Sequence, residues 1–100
     1  MLYFLKVRVD HQRLTSDELW SLWEKEADVV LSVKAAGRIV ALYKVVGQWR
    51  VLVVLDVESH DEIDQALMAA MPLAHYEELE EILPVREYES FASDVKRRWK

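Results

Sequence analysis

Tyr3, Leu5, Val7 and Val9 are apolar while Lys6 and Arg8 stand between them, an alternation that predicts a half-buried strand over Leu2 to Val9. Asp10 to Leu14 reads as a polar loop. Thr15-Ser16-Asp17-Glu18 has the form of a capping box, in which the Thr15 hydroxyl and the Glu18 carboxylate satisfy orphan amides reciprocally. A helix is expected from there to about Ala36, with Gly37 supplying the residue most at ease in the left-handed position beyond its end. Ile39–Val46 and Trp49–Val57 are β-branched and aromatic runs that predict a hairpin, and Gly47-Gln48 between them is the Gly-first pair suited to a two-residue type II′ turn. Ser59-His60-Asp61-Glu62 repeats the capping-box pattern and opens a short second helix, with Ile63, Ala66, Leu67, Ala70 and Met71 on one face before Pro72. Tyr76 to Tyr88 is acidic and then apolar, and Pro84 restricts a last strand there to an edge or a bulge. An amphipathic segment, Ser90 to Trp99, closes the chain with a basic cluster.

Strand, helix, strand, strand, helix, strand is the ferredoxin-like βαββαβ order, an α+β fold with an antiparallel sheet and both helices on one face. It spans residues 1–88 without a linker between its halves, and residues 89–100 form a C-terminal helical extension. The hairpin strands are apolar at both parities: Ile39, Ala41, Tyr43 and Val45 on one, Val40, Leu42 and Val46 on the other. Strands of that kind are covered on both sides, so sheet-to-sheet pairing into a dimeric α+β barrel is expected.

Composition narrows the functional classes. The 100 residues include no Cys, which excludes disulfides, a thiol nucleophile and thiolate metal sites. Thirteen Lys and Arg against eighteen Asp and Glu give a net charge of −5, the wrong sign for general binding to nucleic acid or an anionic membrane. No apolar run is long enough to span a bilayer, and the N-terminus has no signal-peptide pattern, so the cytoplasm is the expected compartment. Nucleotide-binding and zinc motifs, catalytic triads and Gly-rich loops are all missing.

The most informative position lies on the first helix. In projection Leu19, Trp20, Leu22, Trp23, Val29, Val30, Leu31 and Val33 fill one apolar arc, and Glu26 falls within it, between Val33 and Leu19. A carboxylate there must be paired, hydrogen-bonded or placed in a pocket. Desolvation raises the pKa of a carboxyl group so placed and makes it a stronger base once ionised, as abstraction of a proton next to a carbonyl requires. The competing reading is a structural ion pair with Lys6, Arg8, Lys34 or Lys44. Lys34, at the helix end, can snorkel outward. Lys6 and Lys44 project from strands, where either could position an anionic substrate. His11 and His60 read as exposed bystanders, and the basic tail as a solvated helix end. His75, at the turn into the last strand, falls where a pocket mouth of this fold could lie, and Tyr43 and Trp49 read as core or interface aromatics.

The opening Met1-Leu2-Tyr3-Phe4-Leu5-Lys6-Val7, the helix carrying Glu24-Lys25-Glu26 and ending at Gly37, the Gly47 hairpin followed by Leu55-Asp56-Val57-Glu58-Ser59, and Ala66-Leu67-Met68 leading to Pro72-Leu73-Ala74-His75-Tyr76 together resemble the muconolactone Δ-isomerase family, over most of residues 1–88. The resemblance implies homo-oligomers built from barrel-forming dimers, up to a decamer, and conversion of muconolactone to 3-oxoadipate enol-lactone in aromatic catabolism with no metal or organic cofactor. It further implies that Glu26 takes and returns the ring proton, that Lys6 stabilises the lactone oxygen or the developing enolate, and that Tyr43 assists. Lys44 and His75 join Tyr43 as candidate substrate-binding residues. One stretch departs from the family pattern: Ile39 to Lys44 stands where members carry Trp-Arg-His-Leu-Trp-Arg, and Gln48 stands where a His is usual. A substrate without the carboxylate those groups would hold stays open. So do two other classes, a non-catalytic ligand-binding protein of the same fold and a cofactor-free monooxygenase of the barrel type.

Overall fold

The computed structural model describes residues 1–100, and its first strand realises the expected alternation: Tyr3, Leu5, Val7 and Val9 are buried and the residues between them only partly so. β1 (Leu2–Val9), β2 (Ile39–Lys44), β3 (Arg50–Asp56) and β4 (Glu77–Val85) form one antiparallel sheet in the order β2-β3-β1-β4. α1 (Ser16–Ala35) follows β1, and α2 (His60–Gln65) follows β3. That is the expected α+β order. A last helix, α3 (Tyr88–Arg97), begins two residues before the amphipathic stretch that predicts it.

Register separates the two faces of the sheet. Tyr3, Leu5, Val7 and Val9 stand opposite Leu55, Val53 and Val51 on one side and Pro84, Ile82, Leu79 and Glu77 on the other. This inner face packs Tyr3, Leu5, Val7, Ile39, Val53 and Val57 against Ile63, with Val30, Val33 and Leu67 from the helical layer. Val9, Leu19 and Leu73 make a second, smaller core with Trp23 and Trp49. The outer face carries Leu2, Phe4, Lys6 and Arg8 opposite Val54, Leu52 and Arg50 and opposite Val85, Leu83, Glu81 and Glu78.

The first capping box forms in full: the Glu18 amide donates to Thr15 Oγ1 at 3.2 Å and the Thr15 amide to Glu18 Oε1 at 3.0 Å. Those bonds from Thr15 hold the Glu18 carboxyl below its usual range. At the other end of α1, Gly37 takes φ +82°, as its position requires. The second box forms only by half. Ser59 Oγ accepts from the Glu62 amide, but the Glu62 carboxylate reaches past Ser59 to the Glu58 amide while also pairing with Arg38. Its helix then loosens into a π-helical turn over Ala66–Ala70.

The hairpin differs from the type II′ expectation. Residues 45 to 49 connect β2 and β3, and Gly47, with φ +70°, sits third in a four-residue turn closed by the Gln48 amide on the Val45 carbonyl. A positive φ at that position is the type II arrangement. Lys44 explains the longer loop, since its ammonium binds the Val45 and Gln48 carbonyls, and the Trp49 carbonyl is drawn to the Val9 amide.

β4 is an edge strand, as Pro84 requires, but its bulge lies elsewhere. Lys6 pairs with Glu81 and Val7 with Leu79, so Glu80 is an extra residue, and it turns to clamp Arg50 through two bonds of 2.7 and 3.0 Å. α3 leads away from the end of β4 and stretches the molecule to 56 × 26 × 21 Å. Its ring cluster is local: Arg86 lies over Phe91 and Trp99, and Asp94 binds both Arg86 and Arg97.

Leu5 is 1% exposed at the centre of the sheet. Leu5→Ala is expected to lower stability by about 2–5 kcal/mol, read from urea unfolding, because the surrounding strands cannot close over the space left.

Candidate active site

Between the inner face of the sheet and α1 lies a cavity of about 990 Å³. Its floor is Leu5, Val7, Val9, Val51 and Val53 from the sheet, and its roof runs along α1 from Trp20 to Val33. The expected apolar arc of α1 is only partly covered. Leu19 and Glu26 are its buried residues, while Trp20 and Leu31, at the margins of the arc, are each 56% exposed.

Glu26 lines this cavity at 6% exposure. None of the four basic residues that could have paired with it does so, and its Oε2 is buried without a hydrogen-bond donor. Its neighbour is another acid, Glu77 from the start of β4, which lines the same cavity. Burial, and then the hydrogen bond and the charge from Glu26, push the Glu77 carboxyl up to about 9. At neutral pH Glu77 therefore keeps its proton and serves as donor to Glu26. Two carboxyl groups sharing one proton form a unit that can accept a proton at one oxygen while another stays on hand.

The other expected site residues are scattered. Lys6 faces away on the outer side of the sheet, opposite Glu81 and close enough to Glu80 to act on its charge, because side chains of a strand alternate and its neighbours Leu5 and Val7 face inward. Lys6 and Glu26 are thus not brought together within one chain. Lys44 does line the cavity, but its ammonium is engaged by the turn. Tyr43 borders the cavity and is 67% exposed. His75 is exposed in a 3₁₀ turn over Ala74–Tyr76, away from the cavity, and its carbonyl accepts from Arg13.

His60 is exposed as expected, and the reading of His11 needs correcting. His11 is not a free loop residue: its ring stacks on Trp49 at 4.3 Å and its Nδ1 is buried. His60 bonds through Nδ1 to the Tyr3 hydroxyl. Trp49 in turn meets Trp20 and Trp23, so that three indoles form one aromatic wall of the cavity. No three His, Asp or Glu side chains are grouped as metal ligands would be.

Sequence reasoning missed Glu77 because regular alternation back from Ile82 would turn Glu80 and Glu78 inward. A signal was present. Leu79 and Ile82 are both apolar and three apart, and they can share a face of one strand only if a residue bulges between them.

Because folding raises the Glu77 carboxyl, its protonation is linked to stability. Folded protein holds a proton that the unfolded chain releases near its ordinary 4.5, so the stability due to this group is full below that value and falls as pH rises through about 9. Glu77→Gln is expected to flatten the decline of Tm with pH across this window. Parallel Tm curves for the two proteins would show that the group is not held protonated.

The fold also has counterparts among known proteins. A crystal structure of muconolactone isomerase matches with a TM-score of 0.71 at 23% identity, covering 87% of this chain and 90% of that one, a likeness of fold. Among curated proteins, none matches. No helix is long and apolar enough to cross a membrane. The family model for muconolactone delta-isomerase matches residues 1–90, a span that takes in the whole sheet, α1, α2 and both acids of the cavity, and the chain belongs to that family.

Proposed function

We propose that the protein is an isomerase that moves a double bond in a small unsaturated lactone by proton transfer, as in the conversion of muconolactone to 3-oxoadipate enol-lactone or of a related substrate, within the cytoplasmic breakdown of aromatic compounds. The observation that carries this reading is Glu26, a carboxyl group 6% exposed on the wall of a cavity and paired with no cation. Family membership supports the reaction type.

In this reading Glu26 removes the proton from the saturated ring carbon γ to the lactone carbonyl, beside the double bond. The C–H electron pair moves into the ring, the double bond shifts by one position, and negative charge gathers on the carbonyl oxygen as a dienolate. Glu26 then returns a proton to the carbon next to the carbonyl, and the electrons come back from the oxygen. Glu77, protonated at neutral pH, takes the stabilising part that the family resemblance assigns to Lys6: once Glu26 has taken the ring proton it no longer needs the Glu77 O–H, which is then free to turn to the carbonyl oxygen. Lys44 borders the cavity at the hairpin, where its stem bounds the substrate's far end, whereas Tyr43 stands opposite Leu52 and turns its ring to the outer face of the sheet. His75 takes no part.

Two copies are proposed to pair through the outer faces of their sheets, where Phe4, Leu52, Val54 and Leu83 present apolar surface between charged rows. That pairing covers the strands whose both parities are apolar.

α-Angelica lactone, whose ring carries the double bond where the enol-lactone product has it, is the probe for the chemistry run in the reverse direction. Deuterium uptake in heavy water, followed by NMR, is expected with the wild-type protein and should fall by about 100-fold or more in Glu26→Gln. Equal exchange in both proteins rejects Glu26 as the base, and binding without exchange favours a ligand-binding protein of this fold. For the pairing, Phe4→Glu should convert a dimer or larger assembly to monomer in light scattering, whereas an unchanged mass would place the contact elsewhere.

A further inference from the structure

The cavity is poor in positive charge that a ligand could use. Arg38 at its margin is paired with Glu62, and the Lys44 ammonium is held by the Val45 carbonyl at 2.8 Å and by that of Gln48. At the site itself stand Glu26 and Glu77, with no cation between them. A carboxylate-bearing ligand would enter this apolar space beside two acids and lose its water without gaining a partner.

The same cavity is rich in flat apolar surface. Trp20, Trp23 and Trp49 lie with ring centroids 5.7 to 6.2 Å apart, and His11 backs Trp49 in a stack tilted by only 15°. Such a wall receives a planar ring by offset stacking. The volume of about 990 Å³ is at the upper end of the range of about 300–1,000 Å³ for small-molecule sites, far more than a bare five-membered lactone fills. A permanently cationic ligand would find the tryptophan faces and the acid pair attractive, but it would hold Glu26 in an ion pair and blunt it as a base.

Resting on the isomerase reading above, we propose that the substrate is an uncharged unsaturated lactone or ketone carrying an aromatic ring, which lies against Trp20, Trp23 and Trp49 while the enolisable carbon meets Glu26. Carboxylate-bearing lactones, muconolactone among them, are then disfavoured by the cavity, which narrows the isomerase reading above to its related, uncharged substrates. The tryptophan wall sets specificity, and the acid pair sets both reactivity and the exclusion of anions.

A matched set of γ-phenyl butenolides tests this: the parent compound, its para-carboxylate and its para-trimethylammonium derivative, each titrated by calorimetry and each followed for deuterium exchange. The neutral compound is expected to bind at least about tenfold more tightly than the carboxylate, since the carboxylate must be buried without a counter-ion. Trp20 is half exposed, so Trp20→Ala leaves the core in place; it should weaken the phenyl compound by about tenfold and α-angelica lactone, which has no such ring, hardly at all. Glu26→Gln should narrow the preference against the carboxylate in binding alone. Tightest binding by the carboxylate or the ammonium compound overturns the proposal, as does a Trp20→Ala protein that binds the phenyl compound as well as wild type does. Preferential binding of the neutral compound without exchange keeps the ligand class and sinks the isomerase. Equal exchange of neutral and anionic compounds keeps the isomerase and sinks the ligand class.

Discussion

Two carboxyl groups facing each other in an apolar wall cannot both be ionised, and no cation in the cavity relieves them. One proton must stay between them. Much of the architecture follows from that constraint. A helix has to deliver Glu26 from above, a strand has to deliver Glu77 from below, and α1 has to stand off the sheet far enough to leave the space into which both acids open. A tightly packed core at this point would be more stable and would have room for no ligand.

The delivery of Glu77 depends on one extra residue. β4 begins with the acidic run Glu77-Glu78-Leu79-Glu80-Glu81, and regular pairing with β1 back from Ile82 would turn two of those carboxylates into the core. With Glu80 displaced toward Arg50, Leu79 fills the inner position opposite Val7, and Glu77 alone among the acids takes the one opposite Val9. Both partners of the Arg50–Glu80 pair respond to it: the bond holds the Glu80 carboxyl below its usual range and raises the Arg50 guanidinium. The outer-face ion pair therefore has its effect on the inner face, by fixing the register of the strand between them.

The fold was legible in the sequence wherever local chemistry and burial point the same way. β1 alternates as its composition demands, Thr15 and Glu18 cap α1, Gly37 ends it, and Glu26 lies on the buried stripe. What the pattern could not carry is set by contacts distant along the chain. The hairpin turn lengthens because Lys44 ties its carbonyls and Trp49 is drawn to Val9, and Glu62 leaves its capping place for Arg38 and the Glu58 amide. The same limit applies to the site. A helical projection identifies a buried acid but not its partner, and Lys6, which shares its strand with the cavity floor, lies on the wrong side of it by the plain geometry of a pleated chain.

The irregularities of the two outermost strands also bear on how the protein keeps company with itself. β4 ends its free side in Pro84, interrupts it at Glu80 and lines it with acids, while β2 is six residues long and is itself irregular at Val40. Neither rim offers another chain a long, straight row of unpaired amides and carbonyls, so open-ended growth of the sheet into fibrils is obstructed at both margins. The kink that turns one acid inward is thus also a guard against aggregation.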